Sequence, residues 1–413
     1  MTIDTILVSA LGPDRRAACL ARGRLVRFLL TPPEGAPGAG ASAGDIYLGR
    51  VVGVDRGLAA AFVDIGDARP GFLGFADALD PRRPPGDGDA VVVRVLRAAA
   101  GGKGAKLAGR PPSPPDIVAR ARSERPPARL HAAPDAITAA VAAALDPAAG
   151  QPLARIVVDD ADTLLALRRT LPAAGSLLRH HLDPAPVFAE DGVDDQLAAA
   201  MAPWQPLPGG GAFAIRETPA AVTVDVDLGA GGGGAAAARA ANIEAMNAVA
   251  DAIVLRDLAG HIIIDPIGLR DRRRGAVLAR LREALAAAEA RLGADGRIIR
   301  FGGFTPLGLI ELVREKRGPS LRQQLGFGDE SRDDEKAAWV AAGDALRAAV
   351  AEAAAHPGRL PALRVNEAVG EALAGVMATA RRAAEARVGG PIPTTVAAAR
   401  PPAAWSLEGR DCR

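Results

Sequence analysis

The sequence is poor in aromatic residues, lysine and cysteine. Of its 413 residues only 3% are aromatic, and only four of the 50 basic residues are lysines. Cys19 and Cys412 stand at opposite ends of the chain, which excludes a disulfide framework or a clustered zinc site. No apolar run is long enough to span a membrane. The N-terminus carries Asp4 and no basic stretch before an apolar run, unlike a signal peptide. We therefore expect a cytoplasmic protein that does not contact membranes.

The composition is that of a folded chain of several domains. Hydrophobic residues make up 49% and charged residues 24%, with a formal net charge of +2. These values exclude a disordered chain and a uniform polycation. The predominance of arginine suits bidentate phosphate contacts, but a codon bias towards Ala, Arg, Gly and Pro is the better explanation of the count.

The N-terminal third predicts mainly β structure. The first 30 residues or so indicate two short strands around a turn at residues 12–14. Four more strands, at residues 46–54, 58–65, 71–75 and 89–96, lie so close together that they indicate a small closed barrel such as an OB-fold. Residues 101–127 are rich in Gly, Pro and Arg, and they predict little regular structure.

The remainder alternates between helix and strand. We predict helices at 135–145 and 161–171 around a strand at 155–158, which is typical of a layered α/β unit. Paired strands at 213–215 and 221–227, a helix at 236–255 and an apolar central strand at 261–265 follow. A helix at 272–291, a strand near 297 and a helix at 306–317 precede a small C-terminal α/β domain. The predicted class is a multidomain α/β protein.

Two predicted strands end in carboxylates, at Asp225 with Asp227 and at Asp265. If the strands are neighbours, Asp225 and Asp265 project from the same sheet edge and can bind Mg²⁺. Metal-activated water then attacks a phosphodiester. Aspartates at strand ends also cap helices or form turns, so the spacing alone leaves both readings open. The glycine run at 229–234 lacks the lysine of a phosphate-binding loop and indicates a flexible connection.

The predicted barrel carries the side chains expected of a single-strand-binding surface. Tyr47, Phe62 and Phe72 provide rings on which bases stack, although each can instead be a core residue. Further on, basic residues form a cluster in the sequence: Arg270, Arg272, Arg273 and Arg274, then Arg314, Lys316 and Arg317. Such a cluster contacts phosphates or is simply a solvated helix face.

Several strings resemble those of the ribonuclease E/G family, in family order. Residues 44–51 read GDIYLGRV, residues 60–66 AAFVDIG, residues 71–73 GFL and residues 102–107 GKGAKL. Residues 223–227 read TVDVD, residues 242–245 NIEA, residues 255–265 LRDLAGHIIID and residues 304–317 FTPLGLIELVREKR. The resemblance covers most of residues 1–320.

This resemblance implies a domain plan. A ribonuclease-H-like domain (1–43 and 128–210) is interrupted by an OB-fold RNA-binding domain (44–108). A linker (109–127) replaces the segment that senses a 5′-monophosphate in the family. A deoxyribonuclease-I-like catalytic domain (211–328) and a small C-terminal domain (329–413) follow.

The resemblance also implies roles for individual residues. Asp225 and Asp265 match the family's Mg²⁺ ligands, with Mn²⁺ as a possible substitute. Phe62 and Phe72 match the aromatics that hold RNA bases. We add Tyr47, Lys103, Lys106, Arg314, Lys316 and Arg317 as candidate RNA contacts.

Four departures from the family pattern bear on activity. Asp227 stands where the family has an asparagine, and it can either join the metal shell or repel the phosphate. Gly268 stands where the family has an acid. The Cys-Pro-x-Cys zinc link expected after Ser320 is missing, so no zinc is expected. Residues 110–134 are too short to hold the whole 5′-sensing subdomain.

The leading prediction is therefore a compact, Mg²⁺-dependent endoribonuclease that is specific for single-stranded RNA. It would leave 5′-phosphate and 3′-hydroxyl ends and act as a monomer or dimer in RNA processing or decay. The alternative is an RNA-binding protein with the same fold whose cleavage is weak or lost.

Overall fold

The computed structural model describes residues 2–36, 39–99, 103–109, 114–146, 153–228, 234–268, 271–292, 296–327, 337–397 and 404–411. The chain divides into two compact units. The first comprises residues 1–34, 136–315 and 320–413, and the second comprises residues 35–135 and 316–319. Residues 229–233 of the predicted glycine connection (229–234) and the predicted boundary at 328/329 lie outside the described residues.

The first unit begins with a five-stranded sheet. Its strands are β1 (Thr5–Leu11), β2 (Asp14–Ala21), β3 (Arg24–Thr31), β10 (Arg155–Val158) and β11 (Leu178–His180). The order is β11-β10-β1-β2-β3, with β1, β2 and β3 antiparallel and β1, β10 and β11 parallel. The prediction of two strands in this region was wrong, because a second turn at Arg22 and Gly23 adds a third strand.

A six-stranded sheet belongs to the same unit. Its strands are β12 (Trp204–Pro206), β13 (Ala212–Glu217), β14 (Val222–Asp227), β15 (Gly260–Asp265), β16 (Ile299–Phe304) and β17 (Ile310–Arg314). They lie in the order β12-β13-β14-β15-β17-β16, and β14 and β15 are parallel. The two long helices predicted nearby are present as α5 (Ala235–Leu255) and α6 (Asp271–Ala290).

One face of the six-stranded sheet is packed against those two helices. Val224 and Ile264 from the sheet share a buried core with Ile253 of α5 and Leu281 of α6. Because side chains alternate along a strand, the residues between the buried ones point to the opposite face. That face carries the polar residues described below.

The remaining elements of this unit flank the two sheets. The helices are α2 (Ala136–Ala144), α3 (Ala161–Thr170), α4 (Val193–Met201), α7 (Leu321–Gln324), α8 (Ala338–Ala355), α9 (Glu367–Ala374) and α10 (Ala378–Val388). A third sheet contains β18 (Arg359–Val365), β19 (Thr394–Val396) and β20 (Trp405–Asp411). Helix α8 is tied to β2, since Arg347 forms an ion pair with the fully buried Asp14.

The second unit is a closed five-stranded barrel, compatible with an OB-fold. Its strands are β4 (Ile46–Asp55), β5 (Ala60–Asp64), β6 (Gly71–Gly74), β7 (Ala90–Arg97) and β8 (Lys106–Ala108). They pair in the order β5-β6-β8-β7-β4, and β4 closes the barrel on β5. The expectation of a small closed barrel is confirmed.

The segment after the barrel is more ordered than its composition indicates. Residues 115–131 contain helix α1 (Pro115–Ser123) and strand β9 (Ala128–His131), which pairs with β4. Ile117 of α1 packs with Leu130 of β9 and with Ile46 and Leu48 of β4. The prediction of little regular structure was wrong here, because a few apolar side chains suffice to dock one helix on the barrel.

Candidate functional site

Asp225 and Asp265 lie side by side on neighbouring strands. They are register partners in the parallel pair β14–β15, and parallel strands are about 4.8 Å apart. Val224, Val226 and Ile264 point into the core, whereas both aspartates are exposed on the other face. The arrangement predicted from the two strand ends is therefore present, at the carboxyl ends of two central strands.

Asp227 lies on the same face as Asp225, two residues further along β14. That separation along a strand is about 6.7 Å, so Asp227 flanks the pair rather than completing it. Among the described residues, no group of three or more His, Cys, Asp or Glu side chains is arranged to hold a metal ion. Among the described residues, the candidate metal site thus consists of the two carboxylates of Asp225 and Asp265.

This pair fits Mg²⁺ in donor chemistry. Mg²⁺ prefers hard oxygen ligands and commonly takes one or two carboxylates while keeping several waters. Two exposed carboxylates on adjacent strands provide that donor set and are open to water. Gly268, where the resemblance leads us to expect a further acid, is exposed, and a Cβ placed there would meet no atom within 4 Å.

The loop after Asp265 is held by a residue to which sequence reasoning assigned no role. Asn242 of α5 is completely buried, and its side-chain amide hydrogen-bonds both backbone groups of Ile267 at 2.9 Å. The available signal was an asparagine within an apolar stretch of a predicted helix. A buried amide requires partners, and these partners lie beside the metal-site candidate.

Phe62 and Phe72 form a pair on the outer surface of the barrel. They are cross-strand partners on β5 and β6, with ring centroids 6.1 Å apart and ring planes at 75°. Both are half-buried, and neither belongs to the buried barrel core. This edge-to-face pair presents partly exposed rings on which bases can stack.

Basic residues continue the row of cross-strand partners beyond the two rings. Lys106 is the register partner of Phe72, and Arg97 is the register partner of Lys106. The Lys106 ammonium lies 3.6 Å from Asp77, and Lys103 is exposed. The structure thus brings Lys106 to the aromatic pair, and it adds Arg97, which sequence reasoning did not select.

Tyr47 does not belong to this surface, which corrects one of the candidate RNA contacts. Its ring is 9% exposed and packs inside the barrel with Val51, Val63 and Val93. Burial, and secondarily the charge of Asp45, raises the pKa of its hydroxyl. A side chain enclosed by the barrel core is not available for stacking with a base.

Arg314 is also withdrawn as an RNA contact, because it is completely buried. Its guanidinium bonds Glu289 at 2.5 Å, Asp257 at 2.7 Å and the carbonyl oxygen of Leu258 at 2.9 Å. Glu289 and Leu258 are buried, and Asp257 is partly exposed beside β15. Of the two candidate RNA contacts that follow Arg314, Lys316 is exposed and Arg317 is half-buried.

Arg297, Arg314, Asp257 and Glu289 form a group of ion pairs that we call the Arg314 cluster. The arginines of this cluster shift the ionisation of Asp257. Burial opposes its charged form, but the neighbouring Arg297 and Arg314 outweigh burial and lower the pKa of Asp257. Arg297 contacts this carboxylate at 3.2 Å. These charges compensate one another, so the cluster stabilises the fold and does not form a binding surface.

Comparison with known proteins finds similarity to ribonucleases E and G, as the sequence resemblance predicts. The model of the ribonuclease E/G family matches residues 115–317. Ribonuclease E of Nostoc sp. is 27% identical over 368 residues, covering 68% of this chain and 52% of that protein. Ribonuclease G of Escherichia coli K12 is 30% identical over 181 residues, covering 42% of this chain and 36% of that protein.

Escherichia coli ribonuclease E is 29% identical over 180 residues, which cover 41% of this chain and 16% of that protein. The family match includes both aspartates and Asn242. Over residues 115–317 the chain is therefore similar to the ribonuclease E/G family. It spans about half or less of the length of these curated relatives.

Proposed function

We propose that this protein is a Mg²⁺-dependent endoribonuclease that cuts single-stranded RNA, leaving 5′-phosphate and 3′-hydroxyl ends. The observation that carries the proposal is the register pairing of Asp225 with Asp265 on the open face of the six-stranded sheet. The names of the relatives, ribonuclease E and ribonuclease G, support RNA as the substrate.

Asp225 and Asp265 would hold the metal ion between them. When bound, Mg²⁺ supplies Lewis-acid stabilisation of phosphate charge and activates water for hydrolysis. The two carboxylates would fix the ion at the strand edge, where both are exposed to solvent. Asp227, two residues further along, is a third acid that either extends the metal shell or weakens the approach of the phosphate.

The barrel would provide the RNA-binding surface. Stacking on Phe62 and Phe72 tolerates any base, and Lys103, Lys106 and Lys316 supply charge for the backbone. Rings that must stack on free bases favour single strands over duplexes, in which the bases are already stacked. We assign these residues to RNA binding and not to the chemical step.

The domain plan supports the same assignment. The first sheet has the order β11-β10-β1-β2-β3. Along the chain, its three antiparallel strands β1, β2 and β3 come before the barrel, and the parallel strands β10 and β11 come after it. This arrangement supports a ribonuclease-H-like domain split by the barrel. We assign the six-stranded sheet to the deoxyribonuclease-I-like catalytic domain. We further propose that the protein acts in the cytoplasm as a monomer or dimer, in RNA processing or decay, without a zinc link between chains.

A second function is favoured by two specific residues. Gly268 lacks the acid expected from the family resemblance, and Asp227 adds a negative charge where that resemblance predicts a neutral asparagine. Both changes suit an RNA-binding protein whose cleavage is weak or lost. In that case the barrel would still bind single strands.

One cleavage assay separates the two functions. An end-labelled, single-stranded A/U-rich oligonucleotide and its duplex are incubated with the protein and Mg²⁺, with and without a chelator. The proposal expects internal cuts in the single strand that the chelator abolishes. RNA binding without any Mg²⁺-dependent cut would establish the second function instead.

A further inference from the structure

We propose that Asn242 is a positioning residue for Asp265, and through it for the metal site. This inference rests on the proposed function and adds a residue outside the carboxylate pair. Asn242 lies in the first half of α5 and is 0% exposed. Its Nδ2 donates to the carbonyl oxygen of Ile267 at 2.9 Å, and its Oδ1 accepts from the N–H of Ile267 at 2.9 Å.

The backbone around Asp265 needs such support. Asp265 is the last residue of β15, and it has a register partner on β14 only, because the pairing with β17 ends at Ile264. Pro266 follows and has no N–H to donate. Ile267 is therefore the first residue beyond the strand that can donate a backbone hydrogen bond, and Asn242 occupies both of its backbone groups.

The reciprocal amide contact fixes the chain on the far side of Asp265, while the strand pairing fixes it on the near side. A backbone held on both sides keeps the Cα of Asp265 in one position relative to Asp225. Groups that hydrogen-bond a metal ligand directly typically contribute about 10-fold to 100-fold to metal affinity, and for a group that holds the ligand's backbone we expect the lower end of that range. Asn242 acts through the backbone, so its removal should weaken metal binding without removing a ligand.

Two variants and one control test this role. Asn242→Ala removes the amide, and Asn242→Leu removes it while keeping most of the side-chain volume. Asn247→Ala is the matched control, since Asn247 lies on the same helix and its side chain donates to the carbonyl oxygen of Ile243 within α5 at 3.3 Å. The full chain is titrated with Mn²⁺ by electron paramagnetic resonance without RNA, and circular dichroism reports folding.

We expect both Asn242 variants to bind Mn²⁺ about 10-fold more weakly or worse, and the control to match the wild type. Excess Mg²⁺ should restore much of the cleavage by the variants. Folded Asn242 variants that bind Mn²⁺ within twofold of the wild type would overturn the inference. So would failure of both to fold beside a folded control, since Asn242 would then support the whole fold. A wild type that binds no Mn²⁺ would instead reject the metal site itself.

Discussion

At the scale of single residues, we expect RNA binding by the barrel surface to depend on the rings of Phe62 and Phe72. We expect Phe62→Ala and Phe72→Ala each to weaken binding of a single-stranded oligonucleotide by about 1–3 kcal/mol, the usual loss for one stacked base. Thermal stability should change little, because neither ring belongs to the buried core. Fluorescence anisotropy and thermal melts measure the two effects.

Val52→Ala is the control for the aromatic variants, because Val52 is an exposed apolar residue of the same barrel. It should leave RNA affinity unchanged. Loss of thermal stability with normal RNA binding in both Phe variants would assign the rings to the core and contradict their role in binding.

The sequence predicts residues of this kind unevenly. The pairing of Asp225 with Asp265 was predictable, because alternating apolar residues place both carboxylates on one face and parallel strands end together. The burial of Tyr47 was not, since β4 has apolar residues on both faces and only the closed barrel decides which one is interior. Arg314 was misassigned because its charge suggests solvent, whereas Asp257 and Glu289 compensate that charge inside the fold.

At the scale of secondary-structure elements, the Arg314 cluster ties β17 to α6 and to the turn before β15. Asp257→Asn removes one charge but keeps a side chain that tolerates the positive φ of 48° at this position. We expect it to lower the free energy of unfolding by about 2 kcal/mol near neutral pH, as expected for lost hydrogen bonds to charged groups. Urea denaturation measures this change.

The pH dependence has a defined sign. Because Arg297 and Arg314 lower the pKa of Asp257 in the folded chain, the unfolded chain, with a pKa near 3.8, takes up the proton first on acidification. The stabilisation is therefore present above about pH 4 and is lost as the pH falls through the lowered pKa. The stability of Asp257→Asn should therefore lack this part of the acid sensitivity. Glu190→Gln is the control, because Glu190 is exposed, and its stability should keep the acid sensitivity of the wild type. Equal acid profiles for Asp257→Asn and the wild type would contradict the assignment.

The segment around this cluster also contains the clearest error of element prediction. Residues 306–317 predict a helix, but residues 310–314 form β17. Ile310, Leu312 and Arg314 are buried, while Glu311 and Val313 are exposed, so the period is two rather than 3.6. The buried arginine hides this alternation, because a charged residue at a core position reads as a solvent-facing one.

At the scale of the whole molecule, we expect residues 115–131 to bear on the choice of substrate. They form one helix and one strand docked on the barrel, and Arg120 of α1 bonds the carbonyl oxygens of Arg129 and Leu130. Arg122 and Arg125 are exposed and can attract phosphates loosely. Strong recognition of a phosphate needs several donors in fixed geometry, which we do not expect from this short unit.

If the protein is the proposed endoribonuclease, we therefore expect it to enter RNA internally and to ignore the 5′ end. Two otherwise identical oligonucleotides, one with a 5′-hydroxyl and one with a 5′-monophosphate, should be cut at rates that agree within about threefold. Such a ratio corresponds to about 0.7 kcal/mol, the scale of loose attraction. A tenfold or larger preference for the monophosphate would contradict this account and indicate a sensing pocket elsewhere in the chain.

The central claim is that Asp225 and Asp265 together hold the catalytic metal ion. The most direct measurement compares Mg²⁺-dependent cleavage of a labelled single-stranded oligonucleotide by the wild type and by Asp265→Asn, with RNA affinity measured in parallel. The account predicts a rate at least about 100-fold lower in the variant, equivalent to about 3 kcal/mol of lost stabilisation, and RNA affinity within about twofold. Cleavage by Asp265→Asn within about threefold of the wild-type rate would contradict it.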